Sequence, residues 1–178
     1  MRGESPAFFK LGEVMELPDI IIQDMKNYGI KHLPEECCGL VVKHNHTKLI
    51  KFYPIKNVSP SPDKWDYVMD PNEYFNIIKT TTLFNKHSKI DLLAIFHTHP
   101  GEHSHAIPST FDVKGAQWKT TYIIYAPKQN EFYGWDWVGN TFKHVDINGV
   151  HIIGMLYKEL NYKIQEKNIG WEPWKNIN

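Results

Sequence analysis

Two histidines one residue apart close an apolar run. Leu92 to Phe96 is followed by His97-Thr98-His99-Pro100, and then by Pro108-Ser109-Thr110-Phe111-Asp112. In extended backbone, residues i and i+2 point to one side, so both imidazoles can meet a single ion. Pro100 has no N–H to give a neighbouring strand and ends the run there. With Ser109 opening a helix, Asp112 lies in its first turn and can face back towards the histidines. Two His and one carboxylate leave one tetrahedral position for water, the pattern of catalytic rather than structural zinc. Zinc lowers the pKa of that water towards about 7, and a carboxylate is then needed to take and relay its proton. Glu36, just before a second apolar run, is the candidate for that task. The same donors also suit other divalent ions.

Each residue has an ordinary structural use as well. Ser109 and Asp112 match a helix N-cap with an acidic third position. His97 and His99 can be polar residues where a strand meets a loop, Glu36 a solvated charge beside Glu35, and Cys37 and Cys38 small core residues. The combination carries more weight than its members: a strand ending in H-x-H-P, a helix-opening S-x-x-D, and an upstream E-x-x-G leading into another strand. Capping and ligation are also compatible for Ser109 and Asp112.

The elements that must position these groups can be read along the chain. Residues 1–17 form an N-terminal arm without a clear period. Pro18-Asp19 opens a helix with Ile21, Met25 and Tyr28 on one face and Gly29 as its stop. Leu40 to Val42 is a buried strand, Lys48 to Ile55 a second, Val58 to Asp63 a loop and Asp66 to Met69 a short strand. Asp70-Pro71-Asn72-Glu73 is a strong helix start, with the helix continuing to about Phe84. Leu92 to Phe96 is the most apolar strand and is expected to be central. A short helix follows from Ser109 to about Trp118, then a buried strand from Tyr122 to Tyr125. Residues 131–147 read as a hairpin turned at Gly139-Asn140, and Asn148-Gly149 is a further turn. The extension 148–178 carries a helix from Met155 to about Lys167 and a tail. The sum is an α/β fold, a mixed central sheet flanked by helices within residues 18–147.

Composition narrows the function classes. The 178 residues carry 20 Lys+Arg and 20 Asp+Glu, so there is no basic surplus for sequence-independent nucleic-acid binding. Met1 to Lys10 has no apolar core of a signal peptide, and the apolar run Leu92 to Phe96 is far too short to span a bilayer. The two neighbouring cysteines bridge only with strain. A reduced, cytoplasmic protein without nucleic-acid or membrane partners is expected.

The set Glu36, His97-Thr98-His99-Pro100, Ser109 and Asp112 resembles the JAMM/MPN+ metalloprotease motif of JAB domains. The resemblance covers about Pro18 to Trp137. It implies a cytidine-deaminase-like α/β sandwich and a zinc hydrolase, one Zn2+ per chain, cutting amide or isopeptide bonds in a protein or peptide substrate. By this resemblance Glu36 is the general base, His97, His99 and Asp112 are the metal ligands, and Ser109 stabilises the oxyanion. One feature departs from the family pattern. Residues 100–108 separate His99 from Ser109, two more than usual, and the added length falls in Gly101 to Ala106 with His103 and His105. The expectation is a loop that bulges and leaves the site intact, with both extra histidines solvated.

The flanks Pro34-Glu35-Glu36-Cys37-Cys38-Gly39-Leu40, Asn57-Val58-Ser59-Pro60 and Asp70-Pro71-Asn72-Glu73-Tyr74 look like the JAB domains of tailed-phage tail-assembly proteins. That likeness implies a role in tail assembly with tail-tip partners, in the host cytoplasm or the virion tail. The eukaryotic deubiquitinase branch is less similar, because the segments after Asn57 and after Asp112 are short. Two alternatives stand beside this reading. One is a non-catalytic scaffold using Trp135, Trp137, Trp171 and Trp174 as interface anchors, although hairpin or core packing is the simpler use of the first two. The other is a bacterial enzyme that removes or processes ubiquitin-like or sulfur-carrier proteins.

Overall fold

A computed structural model describes residues 14–149. The elements are α1 (Asp19–Lys31), β1 (Cys38–His44), β2 (Leu49–Ile55), α2 (Pro71–Ile78), β3 (Ile90–Thr98), α3 (Thr110–Gly115), β4 (Thr121–Ala126), β5 (Glu131–Trp137) and β6 (Phe142–Val145). The strands form one six-stranded sheet in the order β2-β1-β3-β4-β5-β6. Only β3 and β4 run parallel, joined by the crossover that carries α3; the other pairs are antiparallel. The most apolar strand is indeed interior, between β1 and β4.

Alternating residues of the inner strands feed two cores, one on each face, as expected of strands covered on both sides. Val41, Ala94, Phe96, Ile123 and Tyr125 pack with Ile21 and Met25 of α1. Leu40, Ile95, Tyr122 and Ile124 pack on the other face with Ile78 of α2, Trp135 and Phe142, and Val113 of α3 lies against this cluster. Trp135 is therefore a core residue.

Several expectations need correction. Gly29 does not stop α1, which continues to Lys31 and closes with the His32 amide donating to Tyr28 O. Gly29 is buried inside the helix because a Cβ there would come within 2.9 Å of both Thr98 Cγ2 and Tyr125 Cδ1. Its role is close approach to the sheet. The helix begun at Asp70 ends at Ile78, well before Phe84. The hydroxyls of Thr80 and Thr81 donate back to the carbonyls of Ile77 and Ile78, and such bonds from a β-branched run compete with helix continuation. Asp66 to Met69 is no strand; its sole ladder contact is the Asn57–Met69 bridge. The Asn57 side chain organises that loop instead. Its amide donates to the carbonyls of Glu36 and Asp66, and its Oδ1 accepts from the amides of Ser59 and Val68. α3 spans Thr110–Gly115 and stops short of Trp118, with Ala116 already extended.

Of the N-terminal arm, Met15 pairs with Ile147 and Leu17 exchanges two hydrogen bonds with the Asn148 side chain. The helix expected from Met155 and the tail tryptophans Trp171 and Trp174 lie outside the described residues.

Candidate metal centre

The site forms where β3 leaves the sheet. The register sets Cys38 opposite His97, and one step further the Thr98 amide donates to Cys37 O while the Cys37 amide donates to Thr98 Oγ1. This antiparallel continuation brings Glu36 to the wall of the cavity that His99 also lines. On the other side the His99 amide donates to Tyr125 O, so the histidine keeps its extended backbone beyond the last residue of β3.

Ser109 and Asp112 close a capping box at the start of α3. The Asp112 amide donates to Ser109 Oγ at 3.2 Å, and the Ser109 amide and hydroxyl donate to Asp112 Oδ2 at 2.6 and 2.8 Å. The same carboxylate faces both histidines: Oδ1 lies 2.9 Å from His97 Nε2, and Oδ2 lies 3.3 Å from His99 Nε2. The two Nε2 atoms are 3.1 Å apart. His97 is fully buried and Asp112 is 8% exposed. The S-x-x-D segment thus caps α3 and turns its carboxylate to both histidines.

The electrostatics follow from burial and pairing. Burial pushes His97 down, against the pull of Asp112. For His99 burial also opposes the charge, but hydrogen bonding and Coulomb attraction from Asp112, helped by Glu36 and the His105 carbonyl, lift it to about 9. Burial alone would raise Asp112; the two imidazoles outweigh it and hold the carboxyl well below the usual range. Glu36 is raised to about 8, chiefly by burial, with His99 opposing and Asp112 and Asp66 adding to it.

His97 Nε2, His99 Nε2 and an Asp112 oxygen lie within 4.8 Å of one another and could hold a metal ion. The donors fit such an ion: the 3.1 Å between imidazole nitrogens is close to the edge of roughly 3.3 Å for a tetrahedron with Zn–N near 2.05 Å. A cavity of about 210 Å³ opens beside the group, lined by Glu36, Trp65, Asp66, Tyr67, Ser109 and Phe111 among others. Trp65 and Phe111 stand at its mouth, 74% and 72% exposed.

All five residues picked from the sequence therefore lie at or beside one cavity. Neither extra histidine joins them. His103 is exposed, whereas His105 is not simply solvated: its ring pairs with Glu131 and its carbonyl accepts from His99 Nδ1. The added residues turn outwards at Gly101, where the Ser104 amide donates to Gly101 O. Cys37 and Cys38 are buried, free thiols; burial pushes Cys37 up to about 12 and Cys38 higher, which suits core residues. Sequence reading did not find Tyr67, whose ring stacks on His97 with centroids 4.6 Å apart. Nor did it find Glu131. A lone Tyr or Glu carries no spacing signal, and only the fold brings these two to the site.

The fold and the buried His-His-Asp group define an α/β domain with a candidate metal centre at the end of its central strand. The model of the family Prok-JAB, prokaryotic homologs of the JAB domain, matches residues 21–138, and the chain belongs to that family. A relative from Thermus thermophilus, named as a probable TtuB-protein conjugate cleaving protease, is 29% identical over 124 residues, 70% of this chain and 77% of the relative. The solution structure of a protein from Desulfitobacterium hafniense matches with a TM-score of 0.58 at 22% identity, over 77% of this chain and 99% of that one. A JAB1/MPN domain protein from Archaeoglobus fulgidus matches at a TM-score of 0.44 and 11% identity, over 71% of this chain and 93% of the other. Among the described residues no helix is long and apolar enough to cross a membrane.

Proposed function

We propose that the chain is a zinc-dependent peptidase that hydrolyses an amide or isopeptide bond joining two polypeptides. The observation that carries this reading is the convergence of His97 Nε2, His99 Nε2 and the Asp112 carboxylate on one point beside a cavity that Glu36 also lines. In this reading His97, His99 and Asp112 hold the ion, which when bound acts as a Lewis acid and lowers the pKa of water. Glu36 takes a proton from the attacking water and delivers it to the leaving amine. Burial raises the Glu36 carboxyl to about 8, and the charge of a bound cation beside it would pull it back down and favour the carboxylate that accepts the proton. Ser109 Oγ, at the cavity wall, donates to the oxygen on which negative charge develops. Asp112 accepts from the Ser109 amide and so positions the residue; the hydroxyl, whose single proton goes to Asp112 Oδ2 in this structure, turns that proton to the substrate oxygen in the proposed reaction.

The substrate class favoured is a protein conjugate. Membership of the JAB family and the relative named for cleaving such conjugates support a hydrolase of this kind, the third of the readings drawn from the sequence. A second reading, a protease acting on phage tail-tip proteins, is supported by the flanking motifs around Glu36, Asn57 and Asp70 alone; none of the relatives described above is named as a tail protein. The scaffold reading is disfavoured because the candidate ligand set is complete. Two free, buried thiols fit a reducing cytoplasm.

The test is cleavage of a model conjugate, a small ubiquitin-like modifier joined through its C-terminus to a lysine side chain. Zinc-loaded protein should release the modifier, chelation should abolish release, and added zinc should restore it. Zinc-loaded protein that leaves both the conjugate and peptide substrates intact would contradict the peptidase reading.

A further inference from the structure

The nine residues between His99 and Ser109 return to the site through a strut from the neighbouring hairpin. Glu131 opens β5 opposite Ala126 at the end of β4, and its side chain is only 11% exposed. Its Oε1 and Oε2 lie 2.9 and 3.1 Å from His105 Nδ1, and Oε2 accepts the Ala106 amide at 3.0 Å. Trp135 Nε1 donates to Ala106 O at 2.9 Å. Further out, the Gln129 amide donates to Glu102 O, and Lys128 pairs with Glu102 at 3.0 Å.

Between the groups held by Glu131 sits the peptide carbonyl that matters. His105 O lies 2.8 Å from His99 Nδ1. A carbonyl only accepts, so Nδ1 carries a proton in either charge state of the ring, and Nε2 is the nitrogen that gives up its proton when an ion binds. His97 has no equivalent brace: its Nδ1 is buried without a hydrogen-bond partner among the described residues, and the ring is held by burial and by stacking on Tyr67. Orientation by a hydrogen bond at the second ring nitrogen therefore falls to His99 alone.

We infer that Glu131 is a positioning residue: by gripping the His105 ring and the Ala106 amide it fixes the His105 carbonyl, and through that carbonyl it sets the proton position and aim of His99. Other bonds hold the segment at Glu102 and at Ala106 O, but among the described residues Glu131 alone grips the groups on both sides of the His105 carbonyl. A buried carboxylate is costly unless paired, and both partners of this one lie in the added segment. This inference rests on the metal-centre reading only for the consequence to ion binding; the effect on His99 itself is independent of it.

The experiment compares the full chain with Glu131→Ala, Glu131→Gln and Glu131→Asp by two readouts. The first is imidazole NMR of the metal-free protein, following the Nδ1 proton of His99. The second is zinc affinity from competition with a chromophoric chelator. Wild type should show a slowly exchanging, hydrogen-bonded Nδ1 proton. Glu131→Ala should lose that protection and bind zinc about 10- to 100-fold more weakly, the usual cost of removing a group that orients a ligand. Glu131→Gln retains an acceptor for the Ala106 amide and should stay close to wild type in both readouts. If Glu131→Ala does not fold, Glu131→Asp, whose carboxylate is withdrawn by one methylene, should show the same losses to a smaller degree. Variants that fall in thermal stability but keep a protected His99 proton and wild-type zinc affinity would overturn the inference. If wild type binds no zinc, the metal-centre reading fails, and protection of the His99 proton in wild type against its variants still decides the role of Glu131.

Discussion

The last turn of chain in β3 faces two different environments. Thr98 points to the α1 side, where its hydroxyl accepts from the Cys37 amide and its methyl packs against Gly29. His97 and His99 point the other way, towards Asp112, Glu36 and the cavity. Both sides are buried, but they meet the cost of burial differently. Under α1 it is met by apolar contact among Met25, Phe96, Ile123 and their neighbours, with one hydroxyl that accepts from the Cys37 amide and donates to the Cys37 sulfur. On the opposite side ionisable groups are buried together and satisfied mainly by one another, an arrangement that is stable only while every partner is present. Strand alternation places these two solutions one residue apart. Both faces of the sheet carry an apolar core, but among the described residues the candidate chemistry lies on one face only.

Substitutions can sharpen that contrast. Glu36→Gln, an isosteric change on the cavity side, should lower conjugate cleavage by about 10²- to 10⁴-fold through loss of proton transfer. Zinc content and folding should stay at wild-type levels, as read by kinetics beside metal analysis and denaturation. Ser109→Ala should combine two effects, because one hydroxyl serves two purposes. Cleavage should fall by about 10²- to 10³-fold from loss of an oxyanion donor, and stability by about 1 kcal/mol from loss of the N-cap of α3. A loss in stability without a loss in rate would confine Ser109 to capping. Gly29→Ala tests the other side. Its Cβ would crowd Thr98 and Tyr125 at 2.9 Å, an overpacking cost of about 1–3 kcal/mol offset in part by about 1 kcal/mol of helix propensity. Denaturant unfolding should show a net loss, while zinc stoichiometry remains that of wild type. A variant that also lost zinc would show that the two sides of β3 are mechanically coupled through Thr98.

The sequence was most informative where the chemistry is local. His97-x-His99 and Ser109-x-x-Asp112 are visible because strand and helix periods alone bring their side chains together, and the apolar run before them marks the interior strand. Glu36 stands out in the sequence by its place before an apolar run and by the resemblance to the JAMM motif; the antiparallel β1–β3 pairing that carries it towards the histidines is a finding of the structure. What was not legible depends on long-range pairing. Glu131 reaches the site only because β5 pairs with β4, and Tyr67 only because Asn57 folds its loop with four side-chain hydrogen bonds. A glycine that ends a helix and one that lets a helix approach a sheet look the same in sequence, so the pattern at Gly29 predicts a stop where the structure has a close contact. An α2 running to Phe84 passes over Thr80-Thr81-Thr82, where the apolar face is interrupted and the Thr80 and Thr81 hydroxyls turn back onto the helix end.

The central claim is that His97, His99 and Asp112 together hold one divalent ion. Metal analysis of the purified, tag-free protein beside a His97→Ala/His99→Ala variant tests it most directly. About one zinc per folded wild-type chain is expected, and none in the variant. A folded wild-type protein that binds no zinc when offered it, or a variant that binds as much as wild type, would contradict it.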